Sequence, residues 1–290
     1  MSKDNFVIRA MTHDEINIAI DWAAAEGWNP GECDATSYAL ADPQGFLIGL
    51  LNDEPIAVIS AMKYDASFGF IGFYIVKPDY RGKGYGYQIW QAAMSYLSGC
   101  NIGLDGVVEQ QANYQKSGFK LAYRNIRYQG TFTESEIVKI STSVDGDIEA
   151  VDETSITQYE RDFFPADRDE FNYRWRTQAN AHAVSIQAQQ EVLGYGVIRA
   201  CRTGYKIGPL YANDAEHAKA LLKALLLKIA KGSEQPLDVF LDTPEPNQAA
   251  VNLAELLGMN MVFETARMYT GDSPALPIAR TFGVASFEIG

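Results

Sequence analysis

The chain has 290 residues, 47% of them apolar and 21% charged, and a formal charge of −13. That much apolar mass excludes a largely disordered chain, and the length fits two domains of about 100–200 residues each. The acidity opposes non-specific attraction to nucleic acid or anionic lipid.

Residue inventory narrows the chemistry further. Cys33, Cys100 and Cys201 are far apart and odd in number, so neither a disulfide framework nor a CxxC metal pair is expected. The three histidines lack ligand spacing, and no metal is expected. The opening residues carry no apolar leader core. The longest apolar run, 220–230, is interrupted by Lys223 and Lys228 and is too short to span a bilayer. The expectation is a cytoplasmic protein without membrane or nucleic-acid partners.

In chain order, residues 6–10 read as a strand. Thr12 followed by Glu15 reads as a capping box opening a helix over 12–25, with Ile16, Ile20 and Ala23 on its buried face. Gly27, Asn29, Pro30 and Gly31 then predict an irregular loop. Runs 46–51, 56–63 and 68–76, separated by turn residues, predict a meander of antiparallel strands. Ile89, Trp90, Ala93, Met94 and Leu97 recur at helical spacing up to Gly99. A short strand at 102–104, a helix at 110–117 stopped by Gly118, and a strand at 119–130 follow. Residues 131–150 read as a connection. Beyond it come a helix at 171–178, strands at 192–199 and 206–211, a helix at 215–231, a strand at 237–242, a helix at 248–257 and a strand at 261–269. Tyr173, Arg174, Trp175 and Arg176 read as a surface helix face, with a cleft contact as the other option.

The two halves echo each other. Gly118 to Arg127 aligns with Gly258 to Arg267 at an offset of 140, and Leu104–Asp105 aligns with Leu241–Asp242 at 137. The pattern implies two copies of one α+β fold, each built on a central mixed sheet.

Arg81-Gly-Lys-Gly-Tyr-Gly86 lies between a strand and a helix. Its glycines permit positive φ and close ligand approach, and the following helix presents free N–H groups and a positive dipole end. Such a nest suits a phosphate or pyrophosphate; the plain alternative is a turn that binds nothing. Walker A spacing is absent, and a loop that follows a meander is a poor dinucleotide fingerprint.

Val76-Lys-Pro-Asp-Tyr-Arg-Gly-Lys-Gly-Tyr-Gly86 resembles the acyl-CoA motif of the GNAT superfamily of N-acetyltransferases, Arg/Gln-x-x-Gly-x-Gly/Ala after a strand. Tyr114-Gln-Lys-Ser-Gly-Phe119 resembles the family's second motif, and the two stand in the family's order. Asp21 to Gly31 and the duplicated architecture resemble a tandem two-domain subgroup. The resemblance implies two GNAT-like domains, each a central, mostly antiparallel mixed sheet flanked by helices. Residues 1–132 would bind acetyl-CoA, and residues 133–290 would cover the acceptor site. The implied activity is acetyl transfer from acetyl-CoA to a small-molecule primary amine by direct attack. The alternatives are a non-catalytic acyl-CoA-binding regulator and a peptide or protein N-acetyltransferase. A homodimer is compatible with either.

By the same resemblance, Tyr74, Ile75 and Val76 offer backbone groups to the pantetheine arm. Arg81, Gly82, Lys83, Gly84, Tyr85 and Gly86 cradle the pyrophosphate, and Asn113 joins the CoA contacts. Tyr114 acts as general acid toward the thiolate; the plain reading is a packing aromatic. Glu26 is the first expectation for the base, against a solvent-exposed helix end. Trp28, Asn29 and Asp34 are expected at the acceptor, although Trp28 also suits a core. Asp105 is another candidate for the base, although it reads first as a turn cap. The second half has Gly208 to His217 in place of the glycine loop, adds Asp214 and Glu216, and has Ala254 where the first has Tyr114. It is expected to bind no CoA.

Overall fold

A computed structural model describes residues 5–144, 146–233 and 235–290. Residue 145 of the expected connection and residues 1–4 of the first half lie outside the described residues.

The first half runs β1 (Phe6–Ala10), α1 (Ile16–Ala25), α2 (Asp34–Ala41), β2 (Phe46–Leu51), β3 (Glu54–Lys63), β4 (Phe68–Val76), α3 (Tyr85–Tyr96), β5 (Asn101–Val107), α4 (Gln111–Lys116) and β6 (Lys120–Phe132). α5 (Glu134–Lys139), opened by a capping box from Thr133 and Glu136, leads onward. The order then repeats as β7 (Asp147–Glu149), α6 (Glu153–Glu160), α7 (Asp169–Thr177), β8 (Ala181–Ala188), β9 (Glu191–Ala200), β10 (Tyr205–Ala212), α8 (Ala215–Ala230), β11 (Leu237–Pro244), α9 (Gln248–Leu256) and β12 (Asn260–Tyr269). A last strand, β13 (Thr281–Gly283), has no counterpart among the described residues of the first half.

The sheet order is β1-β2-β3-β4-β5-β12-β6-β11-β10-β9-β8-β7, with β13 on β10. The halves therefore exchange their final strands. β12 of the second half lies between β5 and β6, and β6 of the first lies between β12 and β11. One continuous, mostly antiparallel mixed sheet results, with helices on its faces.

The crossing places the repeated charges against each other. Arg127 donates to Asp242 through Nε at 2.6 Å and Nη2 at 2.7 Å, while Arg267 donates to Asp105 through Nε at 2.9 Å. Each arginine meets the aspartate of the other half. Asp105 is thus a buried ion-pair partner rather than a turn cap.

A second joint lies between the helices. Tyr38 of α2 stacks on Trp175 of α7 with ring centroids 5.6 Å apart, and the Arg199 guanidinium sits 4.1 Å from the Trp175 ring. Trp175 and Arg176 are buried, which corrects the surface reading of α7 for those two; Tyr173 and Arg174 are exposed. Arg176 is held by Glu160 at 2.8 Å.

Thr12 and Glu15 make only half of the expected box. Thr12 N–H donates to Glu15 Oε2 at 2.8 Å, but the same carboxylate takes both Arg9 Nη atoms at 2.7 Å and the helix begins at Ile16.

Candidate functional site

β4 and β5 pair in parallel from Phe68↔Asn101 to Ile71↔Leu104 and then part. Just beyond that point two residues of β4 oppose one of β3, a bulge, and buried Phe73 takes φ 47°. Positive φ at a bulky residue is strained and persists only under firm packing; here the Phe46 and Tyr38 rings lie 5.5 and 5.6 Å from that of Phe73. A bulge releases backbone groups from the ladder, and it stands where the two strands open.

The opening is a cavity of about 610 Å³. Tyr74, Ile75 and Val76 line one wall, and Leu104, Asp105, Gly106, Val107 and Tyr114 the other. Tyr114 lies against the Gly106 backbone and stands 5.6 Å, centroid to centroid, from Trp90. Burial pushes the Tyr114 phenol well above its ordinary pKa, and neighbouring Tyr74 adds to the shift. The phenol is therefore protonated at neutral pH and can donate.

At the mouth, Gly82 and Gly84 adopt φ 72° and 86°, which side chains rarely tolerate. Gly84 is the N-cap of α3 and supplies no side-chain cap. The first N–H groups of α3 are thus left for an anion. The corresponding helix of the second half is closed: Asp214 caps α8, accepting from Glu216 and His217 N–H at 3.0 Å each. β13 also fills the second half's own strand opening, pairing Leu210↔Gly283 and Tyr211↔Thr281.

Several expected residues stand elsewhere. Arg81 lines the cavity, but its Nε donates to Val76 O at 2.7 Å and its Nη2 to Glu26 Oε1, tying α1 to the end of β4. Glu26 lies at the cavity as the partner of that arginine. The Lys83 amine sits 5.5 Å over the Tyr80 ring, and Tyr85 packs on Phe6 at 4.8 Å; neither side chain is part of the wall. Asn113 donates to Gln110 Oε1 at 2.8 Å, and Gln110 rather than Asn113 lines the cavity. Trp28 does line it. Asn29 instead clamps Thr203, donating to its carbonyl and accepting from its N–H at 2.9 Å each. Asp34 is fully buried, with Arg199 Nε at 2.9 Å and Gly31 N–H at 2.8 Å. It anchors α2 through a buried ion pair and is not among the residues that line the cavity.

Sequence reasoning missed the far end of the cavity. Arg127, Phe263, Thr265, Phe287 and Glu288 line it. Arg127 also donates to Trp28 O at 2.7 Å and sits 5.0 Å from the Phe287 ring. The arginine echo at offset 140 was a usable signal for Arg127. Nothing periodic marks Phe287 or Glu288.

Residues 14–119 match the acetyltransferase (GNAT) family, and residues 156–283 match the acetyltransferase (GNAT) domain. The chain is 30% identical over 282 residues to holothin acyltransferase of Pseudoalteromonas sp. (strain SANK 73390), covering 96% of this chain and 92% of that protein. An acetyltransferase candidate from Pyrococcus horikoshii has a similar structure, with TM-score 0.80, 21% identity and coverage of 100% and 98% of the two chains. A tandem GNAT protein from the clavulanic acid biosynthesis pathway follows with TM-score 0.63, 12% identity and coverage of 93% and 100%.

Proposed function

This chain belongs to the GNAT family of acyltransferases in its tandem form, and from that premise we propose that its first half transfers the acetyl group of acetyl-CoA to the primary amine of a small molecule. The observation that carries the proposal is the opening between β4 and β5, with an uncapped helix start at one end and a buried, protonated Tyr114 inside. We assign residues 1–132 to CoA binding and residues 133–290 to support and cover of the acceptor, in the cytoplasm.

In this reading the amine nitrogen attacks the thioester carbonyl carbon directly. Backbone N–H groups freed at the β4 bulge stabilise the developing oxyanion. The C–S bond breaks, Tyr114 gives its proton to the CoA thiolate, and a carboxylate takes the proton leaving the amine. The α3 N-terminus and the Gly82–Gly84 backbone hold the pyrophosphate. No covalent acyl-enzyme is invoked. Burial raises the pKa of Cys33, opposing thiolate formation.

A cavity of about 610 Å³ edged by Trp28, Phe263 and Phe287 favours a small, partly apolar acceptor over a peptide. The relative's name makes holothin the first acceptor to try. The test is CoA release from acetyl-CoA with holothin and a panel of amines, amino acids and polyamines. Tyr114→Phe is expected to lower kcat about 100-fold or more while acetyl-CoA binding persists. Binding without turnover on any amine, unchanged by Tyr114→Phe, would leave a CoA-binding regulator instead.

A further inference from the structure

Three carboxylates line the cavity: Glu26, Asp105 and Glu288. Two are committed to cations. Glu26 holds Arg81, and Asp105 holds Arg267 through both oxygens while also taking Asn125 Nδ2 at 2.8 Å. Glu288 differs. Its Oε2 accepts only hydroxyls, from Ser286 Oγ at 2.6 Å and from Tyr38 at 3.3 Å. Its Oε1 takes no hydrogen bond from a described residue. Glu288 is nonetheless a buried residue, 5% exposed.

The path that brings Glu288 here is built into both halves. β13 threads the closed opening of the second half, and Val284 N–H donates to Asp242 O at 2.8 Å. The segment then crosses to the first half, where Ser60 Oγ donates to the Glu288 carbonyl at 3.2 Å. That carbonyl passes over Gly72 so closely that a Cβ there would lie 1.9 Å away. Gly72 is beside the β4 bulge. The Glu288 backbone therefore lies next to the strand that would carry the thioester, on a segment anchored in the other half, and the residue lines the cavity.

We infer that Glu288 is the base of the reaction: in the acyl transfer proposed above, on which this assignment rests, its carboxylate takes the proton released by the attacking amine nitrogen. The C–N bond forms as the C–S bond breaks, Glu288 leaves the step protonated and Tyr114 leaves it as phenolate, and exchange with water restores both. Other charged or titratable groups face Glu288 from each packed element: Tyr38 on α2, Asp105 on β5, Arg127 on β6 and Lys206 on β10. Arg127 and Lys206 are cationic side chains and Asp105 an anionic one. Glu26, expected from sequence to be the base, instead fixes Arg81.

The experiment compares wild type, Glu288→Gln and Glu26→Gln with an acceptor that the wild type acetylates, following kcat/KM against pH and acetyl-CoA affinity by calorimetry. Glu288→Gln is expected to lower kcat/KM for the acceptor about 100-fold, to abolish the rising acidic limb of the profile, and to leave acetyl-CoA affinity at the wild-type value. Glu26→Gln is expected to keep that limb. If Glu288→Gln fails to fold by thermal melt, Glu288→Asp takes its place and should keep the limb with a lowered rate. Retention of the limb in Glu288→Gln, or its loss in Glu26→Gln, overturns the assignment. A wild type that turns over no amine overturns the acyl-transfer reading itself, a separate outcome.

Discussion

Arg127 and Asp242 form the more buried of the two crossed ion pairs, with side chains 4% and 2% exposed. Removing one partner of such a pair strands the other charge, a loss of about 3–5 kcal/mol. Asp242→Asn should show that loss as a lower urea midpoint. Burial works against the charge on Asp242, but Arg127 outweighs it and holds the carboxyl below its ordinary pKa. A depressed folded-state pKa gives stability that is present above the unfolded value of about 4 and is lost as pH falls below it. The urea midpoint of the wild type should therefore drop on acidification more steeply than that of Asp242→Asn; parallel curves would contradict this. At this scale the sequence disclosed the arginines through their spacing but hid their partners. Asp105 and Asp242 each precede an arginine of their own half, and only the strand exchange reassigns them. Glu288 was hidden for another reason: residues 270–290 lack periodicity, and their position depends on contacts with Ser60 and Gly72 more than 200 positions away.

The helices α3 and α8 occupy equivalent positions and end differently. Gly84 leaves the α3 start open, whereas the Asp214 carboxylate sits on the first amides of α8. Gly84→Asp should place a similar cap, strained by φ 86°, across the anion site. Calorimetry should then find acetyl-CoA binding lost in a protein that still melts cooperatively; unchanged affinity would remove the cradle assignment. Asp214→Ala should cost only about 1 kcal/mol of stability and create no second binding site, since β13 still fills the opening. The two loops were readable because glycine and aspartate act locally, through φ and through capping. α2 was not. Its run Asp34–Ala41 carries Thr, Ser and Tyr without an apolar stripe, and its buried face is set by Asp34 meeting Arg199 and Tyr38 meeting Trp175. β7 was likewise lost in a polar stretch, and β8 in a short run with only Val184 and Ile186 as large apolar residues; the pairing of both is decided across the sheet.

Over the whole molecule, the exchanged strands make one sheet from two repeats. β12 completes the first half and β6 the second, so neither repeat retains its full strand set when separated. Calorimetric unfolding should give one transition, with calorimetric and van't Hoff enthalpies in agreement. Two resolved transitions would mean that the halves fold independently despite the crossing. The duplication was legible from the echo at offset 140, and the length pointed the same way; the crossing was not, because an uncrossed pair of domains would carry the same pattern.

The strand exchange also bears on how such a chain can change over generations. After a duplication, a spare copy is ordinarily free to decay or to be deleted. Here the copy whose own opening is plugged still supplies β12 to the first half's strands, Asp242 to Arg127, Arg267 to Asp105, and the strap that brings Glu288 to the cavity. It can drift in its loops, but its deletion would take a strand and two ion-pair partners out of the other copy. Redundancy in chemistry has become dependence in architecture.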